Sequence, residues 1–157
     1  MMTSRLGKTG SCTMDLNNLE RVLVPIDFSE LCFKAIHTAL SIAPFKRIHL
    51  LHVTPVASGL AWAAGLQSAA DEQAQVELVR TRLDRELDGH KLEHSGMHVH
   101  VRVGSPSHEI VDFANSMAPS LTIIGSHGRT GAVGRLLMGS VAYSIVRNTH
   151  SPVLVVR

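Results

Sequence analysis

Cysteine is scarce in this chain, with only Cys12 and Cys32 among 157 residues. Two thiols so placed make neither a metal-ligand spacing nor a disulfide framework, and a reducing cytoplasm suits them. Charge of one sign is lacking too. Fifteen lysines and arginines face 13 acidic residues, a net charge of +2, and the basic residues are scattered. That balance argues against a nucleic-acid-binding surface. No apolar run approaches the roughly 20 residues of a membrane span. Arg5 and Lys8 near the start are not followed by an apolar segment, so no secretory signal is expected. Also missing are the Gly-Lys-Ser/Thr of a Walker loop and a Gly-x-Gly-x-x-Gly that opens a helix directly. No Gly-x-Ser-x-Gly nucleophile elbow occurs either.

What the chain does have is a glycine-rich run near its end, from Gly125-Ser-His-Gly128 through Gly131 and Gly134 to Gly139-Ser140. An apolar, strand-like Leu121–Ile124 precedes it, and a helix-like Val141–Asn148 follows. Strand, glycine loop and helix in that order make a phosphate site. Glycine lets the backbone approach a ligand closely, and a helix start supplies N–H donors and partial positive charge. The candidates fall in two clusters, Gly125/Gly128 and Gly139/Ser140, with Arg129 and Arg135 nearby. The bland alternative is a flexible surface loop.

The length fits one domain, and 45% hydrophobic with 18% charged residues is a globular mixture. Residues 1–19 are polar and read as a loose tail, with Met14 a candidate start; residues 20–157 form the domain. Arg21–Ile26 reads as a buried strand with Pro25 near its end. Ser29 is placed to cap a helix over Leu31–Ala43. Arg47–Val53 is a second strand and 54–65 a loop. Val76, Val79, Leu83 and Leu87 stripe a long helix, about Gln67–Asp88. His98–Val103 alternates strictly, as a half-exposed edge strand does. Pro106 opens a helix that turns Ile110, Val111 and Ala114 inward. Leu121–Ile124, a helix over 140–149 and Pro152–Val156 complete the chain. Strand alternating with helix five times predicts an α/β, doubly wound domain with a parallel sheet. Its ligand belongs beyond the carboxyl ends of the strands, at Ile26-Asp27, Val53-Thr54 and Ile124-Gly125.

Val22-Leu-Val-Pro-Ile-Asp-Phe-Ser29, Leu51-His-Val53, Gly104-x-Pro106-x-x-Glu109-Ile110, Gly125-Ser-His-Gly-Arg-Thr-Gly131, Leu136-Leu-Met-Gly-Ser-Val141 and Ser151-Pro-Val-Leu-Val-Val156 together resemble the universal stress protein family. The resemblance covers about residues 20–157. It implies a Rossmann-like, five-stranded parallel sheet, usually in a homodimer. One branch of the family binds ATP through Gly-x2-Gly-x9-Gly-Ser/Thr. This chain has both clusters and the serine, with ten residues rather than nine between Gly128 and Gly139. The extra residue falls in the bridging stretch, where a bulge leaves both clusters in place.

Carried onto matching positions, the resemblance gives Asp27 to the ribose, and Pro25, Val53 and Ile124 to the adenine slot. Backbone amides around Gly128, Arg129, Ser140 and Val141 take the phosphates, helped by the Ser140 hydroxyl. Ile26, Gly125, His127 and Gly139 join this cofactor-binding set. The implied cofactor is ATP, or AMP or ADP, with Mg2+. Independently, Asp27 follows a strand, where an acceptor for sugar hydroxyls belongs; the other reading is a cap on the next helix. His127 either touches a phosphate or packs in the loop.

Ten histidines raise a metal reading. His98 and His100 share a strand face, and His90 and His94 are i, i+4 if the helix persists. Gly89 and Gly96 flank that region and no carboxylate cluster completes a site, so no metal is assigned. No base for hydrolysis stands out, since nothing requires Glu109 and Asp112 to face the loop. Catalytic residues are therefore not assigned. The primary reading is a cytoplasmic stress or signalling protein, gated by adenine nucleotide and dimeric, with an unidentified protein partner, no nucleic acid and no membrane. Its rivals are an interaction module without nucleotide, and a very slow ATPase or autokinase. The dimer is expected through residues 152–157. That strand is apolar throughout, and the resemblance places it at the sheet edge with no later segment to cover it.

Overall fold

Val22–Ile26 (β1) and Leu121–Gly125 (β4) are buried at every position, as strands covered on both faces are. The computed structural model describes residues 19–55, 69–90, 96–128 and 138–157. Within them lie Ile48–Thr54 (β2), His98–Val103 (β3) and Val153–Val156 (β5), and the helices Glu30–Ile42 (α1), Ala69–Gly89 (α2), Pro106–Met117 (α3) and Ser140–Asn148 (α4). All four strand pairings are parallel, in the order β3-β2-β1-β4-β5. The α/β, doubly wound, five-stranded fold read from the pattern is the observed one.

Side-chain alternation along the strands divides the core in two. Val22, Val24, Ile48, Leu50, Leu121 and Ile123 pack with α1 and with Leu83 and Leu87 of α2. Leu23, Leu51, Val53 and Ile124 pack on the other face, with Ile110 and Ala114 of α3 and Ala142 and Ile145 of α4. The strand order reverses between β1 and β4, which places their carboxyl ends on either side of one crevice.

Local chemistry sets the helix ends. Ser29 has extended backbone and its Oγ accepts the Cys32 N–H at 3.3 Å, so the expected cap is in place. Pro106 occupies the first turn of α3, and Ala118 ends that helix at φ 49. The start of β2 moves from Arg47 to Ile48 because Phe45–Arg47 form a short 3-10 turn. Leu19, assigned to the tail, is 2% exposed in the core, and its carbonyl accepts from Arg47 Nη1 at 2.9 Å. The rest of that stretch, and the loop at 56–65, lie outside the described residues.

β5 lies at the sheet edge, as expected. Four apolar residues in a row read as a strand buried on both faces, yet every position is partly exposed and Leu154 reaches 40%. The reason is its place at the sheet edge, with β4 as its one strand neighbour among the described residues. No described helix is long and apolar enough to cross a membrane.

Candidate functional site

A cavity of about 520 Å³ opens at the carboxyl ends of β1, β2 and β4, within the range of small-molecule and cofactor sites. Pro25, Ile26, Asp27, Val53, Ile124, Gly125, His127, Gly128, Gly139, Ser140 and Val141 all line it. Arg129 lies outside the described residues, as do Gly131, Gly134 and Arg135.

Asp27 sits just past β1. Its Oδ1 accepts the Ser29 N–H at 3.0 Å, so the side chain braces the turn while Ser29, and not Asp27, caps α1. Its Oδ2 lies against Gly128, where a built Cβ would fall only 2.7 Å away. The carboxylate and the first glycine cluster therefore meet across the crevice, and a side chain at 128 would displace the end of Asp27.

The two glycine clusters also touch. Gly139 N–H donates to Ser126 O at 2.8 Å, and a Cβ on Gly139 would meet that oxygen at 3.3 Å and His127 Cα at 3.4 Å. Gly128 and Gly139 thus lie side by side, so the ten-residue spacing does not move the clusters apart. Ser126 N–H donates to Val156 O at 2.8 Å, extending the β4–β5 ladder and anchoring the loop. His127 Nδ1 lies 3.0 Å from Ser126 Oγ.

Helix α4 starts at the cavity. Its cap, Gly139, contributes no side-chain bond, and its first turn carries no acidic residue. The leading N–H groups of a helix have no partner within it, and the helix dipole adds roughly half a positive charge there. Ser140 and Val141 carry two of these groups. Pro25, Val53, Ile124, Pro106 and Ile110 add apolar surface to the same cavity. The cavity thus combines apolar surface, one carboxylate and the backbone N–H groups of a helix start.

Sequence reasoning missed Ser29, Cys32, His52, Pro55, Pro106, Ile110 and Ala142, which also line the cavity. Burial pushes the Cys32 thiol up to about 11, with the Asp27 charge adding to the rise. That group stays a protonated wall, not a nucleophile. His52 left a detectable signal, because it breaks the buried alternation Ile48, Leu50 with a polar ring. Glu109 and Asp112 do not line the cavity; Glu109 lies 3.7 Å from Arg102 instead.

The histidines gather elsewhere, on β2 and the edge strand β3. His49 stacks on His98 with centroids 4.6 Å apart, and its Nδ1 lies 3.1 Å from His100 Nε2. His98 Nε2 donates to Lys46 O at 3.2 Å. Helix α2 ends at Gly89, and His94 lies outside the described residues. No metal-holding group of three His, Cys, Asp or Glu occurs among the described residues. Burial, with His98, His100 and Arg21 nearby, pushes His49 down to about 4. Burial and His98, Arg102 and Arg80 lower His100. The unfolded chain therefore binds protons more readily at these sites. Their contribution to stability is complete above the ordinary histidine value of 6.5 and is lost as pH falls from there toward 4. The melting temperature should fall by a few degrees between about pH 7.5 and about pH 4.5, and by less in His49→Gln. An equal fall in the variant would refute the assignment.

Comparison with known proteins follows the same lines. The model of the Universal stress protein family matches residues 18–157. Universal stress protein MJ0531 of Methanocaldococcus jannaschii is 30% identical over 147 residues, covering 90% of this chain and 84% of its own. MJ0577 of the same organism is 31% identical over 156 residues. Its solved structure aligns at TM-score 0.65 and 26% identity, over 88% of this chain and 95% of that one. A solved universal stress protein in complex with cAMP aligns at TM-score 0.54 and 24% identity, over 88% and 97%.

Proposed function

The chain belongs to the universal stress protein family, and we propose that it binds ATP, or AMP or ADP, in this cavity and serves as a nucleotide-gated stress or signalling module in the cytoplasm. The observation that carries the reading is convergence. Asp27, Gly128 and the start of α4 come from three separate parts of the chain and line one 520 Å³ space. The adenine fits the apolar surface, Asp27 accepts from the ribose, and the Gly128 and Ser140 regions bind the phosphates with Mg2+ as counter-ion. cAMP, held by one relative, is a ligand of the same class, although at that identity the likeness is one of fold. Binding that favours one conformation changes what the protein presents to a partner. Heating the purified protein and chromatographing the supernatant tests this directly. Released adenine nucleotide supports it. No nucleotide there, and no heat when ATP is titrated at high concentration, would favour an interaction module instead.

Hydrolysis is expected to run far below the roughly 10 s⁻¹ typical of enzymes. No carboxylate other than Asp27 lines the cavity among the described residues, and Asp27 is engaged with Ser29. Steady phosphate release above roughly 1 s⁻¹ that disappears in Ser140→Ala would overturn this expectation.

A further inference from the structure

Strand β2 turns Ile48 and Leu50 toward the core beneath α1 and α2, and the period of two puts His52 on that same face. Its Nδ1 lies 3.0 Å from Ile26 O. A carbonyl oxygen only accepts, so this contact puts the proton on Nδ1. Ile26 is the last residue of β1 and the one before Asp27. The bond therefore ties β1 to β2 just where the chain leaves the sheet.

The next residue is unusual. Phe28 has φ 63, a left-handed conformation that a bulky side chain adopts only when its surroundings impose it. Its ring is gripped from two sides. The His52 ring is 5.1 Å away and tilted by 56°, and the Arg82 guanidinium of α2 lies 4.0 Å from the ring centroid. Asp27 thus sits between two fixed neighbours, and His52 touches both.

We propose that His52 is a positioning residue for nucleotide recognition: donating from Nδ1 to Ile26 and packing on Phe28, it holds the strained turn that aims Asp27 at the ribose hydroxyls. This rests on the cavity being an adenine-nucleotide site. His52 acts through Asp27, so its loss should erase discrimination for the ribose and leave contacts to the base and phosphates in place.

Calorimetry of the full chain with ATP and with dideoxy-ATP, which lacks both ribose hydroxyls, tests it. Wild type should prefer ATP by at least about tenfold. His52→Leu keeps the bulk without the donor, and its preference should fall to about twofold or less while dideoxy-ATP binds within about threefold of wild type. His52→Asn places an amide N–H near the position of Nδ1 and should restore the preference, which a purely space-filling role would not predict. A His52→Leu protein that keeps the preference overturns the proposal. So does a wild type that binds both nucleotides alike. Nitrogen NMR of wild type gives a readout independent of any variant: Nδ1 of His52 should be protonated, and a neutral Nε2–H form overturns the proposal. Failure of wild type to bind either nucleotide would instead defeat the reading of the cavity, and this proposal with it.

Discussion

Replacing Gly128 with alanine is expected to weaken ATP binding at least tenfold, a loss of ~1.4 kcal/mol, with little change in melting temperature. A Cβ at this position would lie 2.7 Å from Asp27 Oδ2, closer than carbon and oxygen pack. Asp27 Oδ2 is the end of a side chain, so the cheapest response is rotation of the carboxylate. That rotation breaks the 3.0 Å bond to Ser29 N–H and turns Asp27 away from the ribose. One methyl group therefore damages both the sugar contact and the close backbone approach. Gly89 is the control, because a Cβ there meets nothing within 4 Å. Calorimetry on Gly128→Ala and Gly89→Ala decides the matter. An unchanged dissociation constant in Gly128→Ala would show that the crevice between Asp27 and the glycine loop holds no nucleotide.

The sheet was legible because its central strands are extreme. β1 and β4 have no exposed position, so their sequences are predominantly apolar, with Thr122 as a buried polar exception. The glycines were legible as positions of close backbone approach, and a Cβ on Gly139 would meet Ser126 O at 3.3 Å and His127 Cα at 3.4 Å. Asp27 stood out as an acidic residue directly after a strand. The contacts that hold these residues in place were less visible. His52 showed only as a polar ring breaking the run of Ile48 and Leu50; its partner, the backbone carbonyl Ile26 O, leaves no mark on residue type. Phe28 at φ 63 carries no glycine or asparagine to announce a left-handed turn. β5 was expected at the sheet edge and lies there; its apolar run alone does not say whether its open side is covered within one chain or by another molecule.

That last ambiguity leads to a prediction about assembly: the protein should be a homodimer paired through β5, and Val155→Pro should make it a folded monomer. Thr122 N–H donates to Pro152 O, and Ser126 N–H to Val156 O. Bonds to one neighbour in a parallel ladder come from alternate residues, so Leu154 completes this series. The N–H and C=O groups of Val153 and Val155 then point away from β4. They form an edge that β4 does not pair; Leu154 on this strand is 40% exposed, and Val146 and Tyr143 of α4 are 47% and 55% exposed. Proteins cover or blunt such an edge. A second copy related by a two-fold axis does so with identical surfaces, Val153 of one protomer opposite Val155 of its partner, antiparallel about Leu154. Proline at 155 removes an outward N–H and leaves the bonds to β4 intact, a substitution that edge strands tolerate. Light scattering at micromolar concentration should give wild type twice the protomer's 17.0 kDa and the variant a single protomer mass, with the same circular dichroism. Wild type at the mass of one protomer would refute the dimer. A variant that stays dimeric would move the interface away from β5, toward the exposed face of α4.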